Sequence, residues 1–541
     1  MAELLSAIEL VPTKRNEFLS TPPRNSISAS APLPASSRAA EDAKSSSSLQ
    51  VPIDLEDGTL KEGRIIVIIA ALTGVNFLCS LSNGFITIGL PKIASDLSLP
   101  QHLMLWPAAV PYLTSSSCLL LAGSIADVIG NKRVNLLGCF LTSIFILACG
   151  LSRTGIELIM FRAMQGIAMS LCLPTSVAIV AHAAPSGRTR NIGFSCLGFV
   201  QPIGFSLGMV LEGFILDTVG WRFSYYLCGS LSFALFVVNL WALPKDVVIG
   251  IPLFAKLRKD IDWVGALAVS TSLGLISYIL ATLTSSVSYI SRPVNIILLI
   301  ISVVLIPTFI WWEARRERQH LAALIPNSLW RNTAFTSVCL TVLFSNAVAN
   351  AMEVFCSLFF QEIQHTSAIG ASFRILPSLC VGFLIQLTTG LLIHRTSPYL
   401  LVLTALLLSS GAPLLMAVIS SHWPYWYVAF PAQLLSPLSC DILFTIGLLA
   451  VSEEFPAHTQ ALAGAVFNTV AQFGTSLGLT LIAVVAASAT KNEGNRGMGR
   501  EEELLAGYRA GFWTAFASMG LACVIGAFGL RRMGKVGVKR D

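Results

Sequence analysis

Fourteen stretches of mostly apolar residues, each about as long as a bilayer is thick, follow one another from Ile65 to Leu530. A helix needs about 20 such residues to cross the hydrocarbon core. Inside lipid every backbone N–H and C=O must be satisfied within the protein, so runs of this length imply helices. They lie at Ile65 to Leu90, Leu103 to Ile125, Val134 to Leu151, Ile156 to His182, Ile192 to Leu216, Phe223 to Leu243, Trp263 to Leu283 and Val294 to Trp312. The remaining six are Ala334 to Phe360, Ala368 to His394, Tyr399 to Ile419, Trp426 to Val451, Ala461 to Ala487 and Tyr508 to Leu530. Only 12% of residues are charged, about half the share usual in soluble domains. The expected class is an all-α integral membrane protein.

The cations give these spans a direction. If both termini are cytosolic, 25 Lys and Arg fall on the cytosolic side and eight on the other, with Arg162 and Arg374 inside spans. That asymmetry is what the retention of positive charge on the inside produces, and one helix more or fewer would spoil it. Residues 1–62, rich in Ser, Pro and Ala, read as a disordered cytosolic tail without a signal peptide. The stretch Lys491 to Leu505, with Glu501 to Glu503, reads as a solvated external loop.

Several chemistries find no residues here. The basic residues form no stripe with interleaved aromatics, which argues against nucleic acid as a partner. The 12 Cys lie in apolar segments without a CxxC pair, and the seven His make no HExxH motif, so no metal site is expected. No Walker loop is present, which turns the search for an energy source from ATP to an ion gradient. The short loops leave no room for an extramembrane catalytic domain, so the chain is expected not to be an enzyme and to need no cofactor beyond the proton gradient.

The most informative loop is Gly123-Ser-Ile-Ala-Asp127-Val-Ile-Gly130-Asn-Lys132-Arg133, between the second and third spans. Further on come Arg162-Ala-Met-Gln165-Gly166 in the fourth span and Pro202-Ile-Gly204-Phe-Ser-Leu-Gly208-Met-Val-Leu-Glu212-Gly213 in the fifth, followed by Gly220-Trp221-Arg222. In order and position these resemble the motifs of the major facilitator superfamily, GxxxDxxGR[KR] and RxxQG, with the helix motif of its drug:proton antiporters. Fourteen spans, with Asp262-Trp263-Val264-Gly265 opening the seventh, resemble the branch with two extra central helices, and the long polar tail looks like fungal members.

The resemblance implies two six-helix halves, 63–243 and 333–530, separated by a stretch 244–332 that holds two extra transmembrane helices, and a short cytosolic tail, 531–541. It implies that Gly123, Asp127, Gly130, Lys132 and Arg133 form a conformational latch, although Asn131 stands where the family usually has Arg. The motif glycines beside Pro202, Gly204 and Gly208 four apart and Gly213 after them, would let helices pack closely. A degenerate second copy of the latch is expected at Gly390-Leu-Leu-Ile-His394-Arg395.

Proton coupling needs an intramembrane carboxyl, and a buried cation needs a polar partner. Many relatives carry an Asp nine residues before the Pro that ends the first span; here that Pro is Pro91 and the position is Ser82. The remaining candidates are Asp441, Glu353 and Glu212, with Arg162 either assisting proton transfer or serving as a hub for hydrogen bonds. Glu212 stands in place of a glycine of the motif, and a solvated position near the outer end of its helix is the alternative for it. Substrate-cavity candidates are Asn76, Asn83, Gln165, Gln201, Asn346, Asn350, Gln361, Asn468 and Gln472; for each one alone, a hydrogen bond between helices is the competing role.

The expected function is proton-coupled efflux of a small organic compound, drug, toxin or secondary metabolite, by alternating access at the plasma membrane. The alternatives are an importer or facilitator of a polar solute such as a siderophore or amino acid, a non-transporting sensor on the same fold, and placement in the vacuolar membrane. Partners are the small-molecule substrate, protons and the lipid bilayer, and the chain is expected to be monomeric.

Overall fold

The structure, a computed structural model, describes residues 62–100, 103–184, 188–244, 261–283, 290–319, 321, 324–392, 397–454, 457–494 and 499–532. The expected N-terminal tail, apart from its last residue, the His394-Arg395 copy of the latch and most of the C-terminal tail lie outside these residues. Among the described residues, 14 helices are long and apolar enough to cross a membrane.

The first half holds α1 (Glu62–Asp96), α2 (Trp106–Ile129), α3 (Asn131–Leu151), α4 (Gly155–Ala183), α5 (Arg188–Thr218) and α6 (Trp221–Ala242). Two further helices follow, α7 (Trp263–Leu283) and α8 (Pro293–Arg318). The second half comprises α9 (Thr333–Leu358), α10 (Ala368–Leu392), α11 (Pro398–Ala417), α12 (Leu438–Glu454), α13 (Ala457–Gly494) and α14 (Arg500–Gly529).

Three details depart from the sequence expectation. Pro91 does not end the first span: α1 runs through it to Asp96. A membrane helix tolerates proline because neighbouring groups re-satisfy the freed carbonyl. The charged stretch Lys491 to Leu505 is not one loop, because Lys491 to Gly494 complete α13 and Arg500 opens α14. Glu501, Glu502 and Glu503 occupy the first turn of α14, where the helix dipole favours carboxylates. The twelfth span is interrupted: a short helix, Ala429–Leu435, gives way at Ser436 and Pro437 to α12. Asp441 therefore sits in the first turn of a helix that begins inside the span.

Within the first half, α1 packs along α5 and α4 packs between α2 and α3; within the second, α9 packs on α13 and α14. The seam between the halves is made by α2 against α13 and α5 against α10. Of the extra pair, α7 touches α2, α13 and α8, while α8 shows Ile296, Ile297, Ile300, Val303, Val304 and Ile310 outward. With no polar work to do, that outer face suits lipid.

Candidate functional site

Two ends of the bundle can be told apart by their polar contacts. We call the end carrying Gly130 the latch end and the other the far end. At the latch end the chain reverses within one residue, Gly130, whose φ of 115° is open to glycine and strained for other residues. Lys132 reaches the last turn of α6 and donates from Nζ to the carbonyl of Leu243 at 2.7 Å, a favourable place for a cation at a helix C-terminus. Asp127 and Arg133 are exposed and Gly123 lies near Pro174. The bond identified for Lys132 thus stays within the first half.

At the far end the halves are joined. The Ser372 hydroxyl donates to the Met209 carbonyl at 2.9 Å, the Ile369 N–H to Asp217 Oδ2 at 3.2 Å, and Gln361 Nε2 to the Ile88 carbonyl at 3.0 Å. Gly213 makes this approach possible, since a Cβ there would stand 2.1 Å from Ser372 Oγ and 3.0 Å from the Ala368 carbonyl. The other motif glycines serve the first half itself. A Cβ on Gly204 would meet the Phe77 carbonyl at 2.6 Å and one on Gly208 the Leu81 carbonyl at 2.3 Å, while Gly84 faces back at Phe205. With Pro202 in the same helix, α5 lies backbone to backbone on α1, the close packing that small residues allow in membranes.

A second far-end feature escaped the sequence reading. Arg374 donates to the Gln364 side-chain oxygen and lies over the rings of Phe360 and Tyr425, 5.4 and 5.8 Å from their centroids. The Tyr425 hydroxyl returns a 2.7 Å bond to the Arg374 carbonyl. Tyr425 lies between spans, and burial pushes its hydroxyl up to about 12. The clustered Trp and Tyr around it suggest only an interfacial belt, so the clamp has no signal of its own in the sequence.

Arg162 is fully buried and is the centre of a hydrogen-bonded hub. Its Nε donates to the Pro107 carbonyl at 3.0 Å, one terminal nitrogen to Gln165 Oε1 at 2.8 Å and the other to Asn83 Oδ1 at 2.7 Å. Gln165 then donates to Ser82 at 2.6 Å, and Ser82 to the Cys79 carbonyl. Neutral oxygens therefore surround the guanidinium, and among the described residues no carboxylate is ion-paired with it.

The polar residues taken from the sequence sort into distinct places. Asn83 and Gln165 belong to the hub, and Asn76 bonds Ser176 across α1 and α4 at 3.2 Å; these three are buried helix-to-helix contacts. Gln361 belongs to the far-end seal. Asn346 and Asn468 donate to carbonyls one turn back in their own helices, and Cys440 donates to Asn346 Oδ1. Gln201 and Gln472 are half-buried, Gln472 with an unbonded Oε1, as is the buried Oδ1 of Asn350.

The acids fall in two places. Glu212 is not solvated: it is fully buried, with neither carboxyl oxygen hydrogen-bonded. It faces Gly89, where a Cβ would come 2.9 Å from Oε1, and lies near Ser224 and Tyr225, whose hydroxyls are also unbonded. Glu353 and Asp441 are half-buried and close enough to interact electrostatically. Glu353 lies ten residues before the end of the π turn Phe359–Ile363 that closes its span, about 15 Å in depth. Asp441 lies within the span Ala429–Gly447, just after its break. Across the seam, Tyr112 of α2 is beside Asn350 and Glu353. A lone Tyr after Pro111 gave no reason to single it out in the sequence.

Two helical halves that meet along a seam and are joined by hydrogen bonds at one end, with an acid pair inside one of them, have the layout of a carrier. The model of the Major Facilitator Superfamily matches residues 72–479. The chain belongs to this superfamily. It is a multi-pass membrane transporter and not an enzyme. Among its relatives, the facilitator is 39% identical to "MFS-type transporter 1" of Pyricularia oryzae over 88% of this chain and 85% of that one. It is 26% identical to the "Low affinity ammonium transporter" of Saccharomyces cerevisiae, over 78% and 80% of the two chains. It is 24% identical to "Efflux pump terJ" of Aspergillus terreus, over 80% and 81%. A solved bacterial homologue of the human lysosomal transporter Spinster, inward-facing and unoccupied, superposes with a TM-score of 0.61 at 13% identity, covering 87% of this facilitator and 98% of that chain. At that identity the likeness speaks for the fold, two six-helix halves with two helices added here.

Proposed function

We propose that this facilitator exports a small organic compound in exchange for protons, by alternating access between the two halves. The observation that carries the reading is the acid pair Glu353 and Asp441, half-buried on the packed helices α9 and α12 of the second half, where a carboxyl can take a proton from one side and release it to the other. The far-end seal supports it, because a carrier must close one end while the other admits substrate. The relative named as an efflux pump favours export. We take the latch end as cytosolic, from the cation count, and the plasma membrane as the site of action, with the monomer as the working unit.

Cells that express the chain test this directly. An uncoupler should raise the retention of an exported compound, and Glu353→Gln or Asp441→Asn should do the same at unchanged protein level. Efflux that is untouched by both substitutions removes the coupling assignment. The ammonium transporter among the relatives favours a second reading, uptake, and deletion distinguishes it: loss of an importer lowers cellular accumulation, whereas loss of an exporter raises it.

A further inference from the structure

We propose that Glu313 carries a proton which it donates to the carboxylate of Asp262, and that this acid pair is a pH-sensitive clasp holding the two extra helices to the segment that enters the second half. The clasp lies at the foot of α7 and α8 and does not depend on proton-coupled export.

The two carboxyls meet beside Gly265. A Cβ on that residue would come 2.5 Å from Glu313 Oε1 and 2.6 Å from Asp262 Oδ2, and the two side chains are within hydrogen-bonding reach of each other. The absence of a side chain at Gly265 is what leaves them this room. Two carboxylates offer acceptors only and cannot bond to each other, and like charges so close do not both ionise. One of the two therefore brings a proton to the contact.

The donors around the pair say which one. Asp262 Oδ1 accepts from the Gly265 N–H and from Trp312 Nε1, both at 2.9 Å, and Arg316 Nε stands 3.5 Å from Oδ2. These groups answer a full negative charge. Glu313 has much less: it is fully buried, its Oε2 accepts from the Ile325 N–H at 3.3 Å, and its Oε1 accepts no hydrogen bond. A buried charge without donors is far more costly than a neutral polar group. The proton thus belongs on Glu313 Oε1, the oxygen that faces Asp262 and has no donor of its own.

The charges of the corner agree. Arg316 supplies at most one positive charge to two acids, so a single proton is what brings the corner to neutrality. Of the other charged groups on this turn of α8, Arg315 and Arg318 are exposed, Arg315 lying over the Trp311 ring at 5.8 Å, and Glu317 is half-buried. Among the described residues α2 and α13, which also pack on α7, bring no cation within salt-bridge distance of either acid.

Three pieces of chain depend on this contact: α7 through Asp262, α8 through Glu313, and the segment before α9 through Ile325. When alkali at the latch end takes the proton into bulk water, two carboxylates are left face to face and repel. The foot of α7 then parts from α8, and the hold on Ile325 loosens. Because α7 touches α2 of the first half and α13 of the second, both halves meet the change.

Glu313→Gln and Asp262→Asn test the shared proton, since each replaces one carboxyl by an amide whose N–H makes the same contact at every pH. The readout is thermal unfolding of the full chain in lipid nanodiscs, from about pH 5, where carboxyls of an unfolded chain are already largely ionised, to about pH 9. A folded state that holds one proton more than the unfolded chain loses stability as pH rises, by up to about tenfold in the folding equilibrium per pH unit. The midpoint of the natural chain should therefore fall more steeply than that of either variant. Parallel profiles for the natural chain and Glu313→Gln overturn the proposal. So does a steep fall that Asp262→Asn leaves intact, because the proton would then owe nothing to the pair. A local measurement checks the clasp. Leu324→Cys, at a buried position beside Ile325, is labelled with a maleimide in the natural and in the Glu313→Gln background, and the ratio of the two rates cancels the pH dependence of the thiol itself. That ratio should be near one at about pH 6 and rise several-fold by about pH 9. A flat ratio overturns the clasp.

Discussion

The hydroxyl of Ser372 reaches the carbonyl of Met209, 2.9 Å away in the other half, because Gly213 lies one turn along with no side chain to keep the helices apart. One missing methyl thus permits the contact on which the far-end seal depends.

Gly213→Ala tests that dependence. The new Cβ would overlap Ser372 Oγ and crowd the Ala368 carbonyl, an overpacking that costs about 1 to 3 kcal/mol where the backbone must yield. The seal should loosen, and a cysteine placed at Ile369 should react several times faster with an impermeant maleimide supplied from the far side. An unchanged rate would mean that the glycine is not what sets the helix separation.

Arg162→Lys should destabilise the first half. A lysine keeps the charge but loses the planar fork that serves Asn83, Gln165 and the Pro107 carbonyl at once. Hydrogen bonds to a charged group are worth about 1.5 to 3 kcal/mol each, so losing one or two should lower the detergent or thermal unfolding midpoint clearly. Gln165→Ala, which removes one partner and the link to Ser82, should cost less. Equal midpoints for Arg162→Lys and the natural chain would deny the hub its structural role.

Glu212→Gln should leave the unfolding midpoint unchanged or higher. The natural carboxyl is fully buried without a hydrogen bond, and a buried polar group without a partner is a cost, not a support. A lower midpoint would reveal a partner for the carboxyl. Gly89→Ala, by contrast, should destabilise, because its methyl would press on Glu212 Oε1 and Ile93.

At the foot of the extra helices, Asp262 accepts from Trp312 Nε1 and the Gly265 N–H, both at 2.9 Å, and pairs with Arg316 at 3.5 Å. Glu313 is buried beside it and accepts from the Ile325 N–H, which ties this corner to the segment that leads into the second half. Asp262→Ala should loosen α7 from α8 and lower the thermal unfolding midpoint. An unaltered midpoint would show that apolar packing alone holds the pair.

Tyr425 supplies a pH dependence outside the membrane. Burial raises its hydroxyl from 10.0 to about 12, so the neutral donor to the Arg374 carbonyl is favoured by folding. Its support is complete below pH 10 and declines as pH rises from 10 towards 12. Tyr425→Phe should make the alkaline decline shallower while leaving the profile below pH 9 parallel to that of the natural chain. A decline as steep in the variant as in the natural chain assigns the alkaline loss to other groups.

Much of the architecture was legible because lipid leaves a chain few choices. An apolar run of sufficient length must be helical, so the span count followed from Ile65 to Leu530 almost by inspection, and the motif glycines identified the helix pair that packs backbone to backbone. Asp127, Arg162 and the three acids stood out because charge is rare in such runs. What did not show was partnership. Nothing in the sequence separates Asn83 and Gln165, spent on Arg162, from Asn350, whose oxygen is unspent, since all three are amides inside spans. The same holds for Glu212, whose neighbours Gly89, Ser224 and Tyr225 come from two other helices. Pro91 and Pro437 have opposite outcomes, one absorbed within a helix and the other at a break, and only the surrounding packing decides between them.

The placement of α7 against both α2 and α13 has a mechanical meaning. A helix that touches one moving body can ride with it, but a helix that touches both must tilt or slide when they rock. Its partner α8, apolar on its outer face, carries that tilt into the acyl chains. Tilting a helix against a bilayer of fixed thickness costs fractions of a kcal/mol per Å of mismatch, so lipid thickness would bias the exchange between the two openings of this facilitator. If the halves rock as proposed, the two additional spans make the membrane itself a load on the cycle.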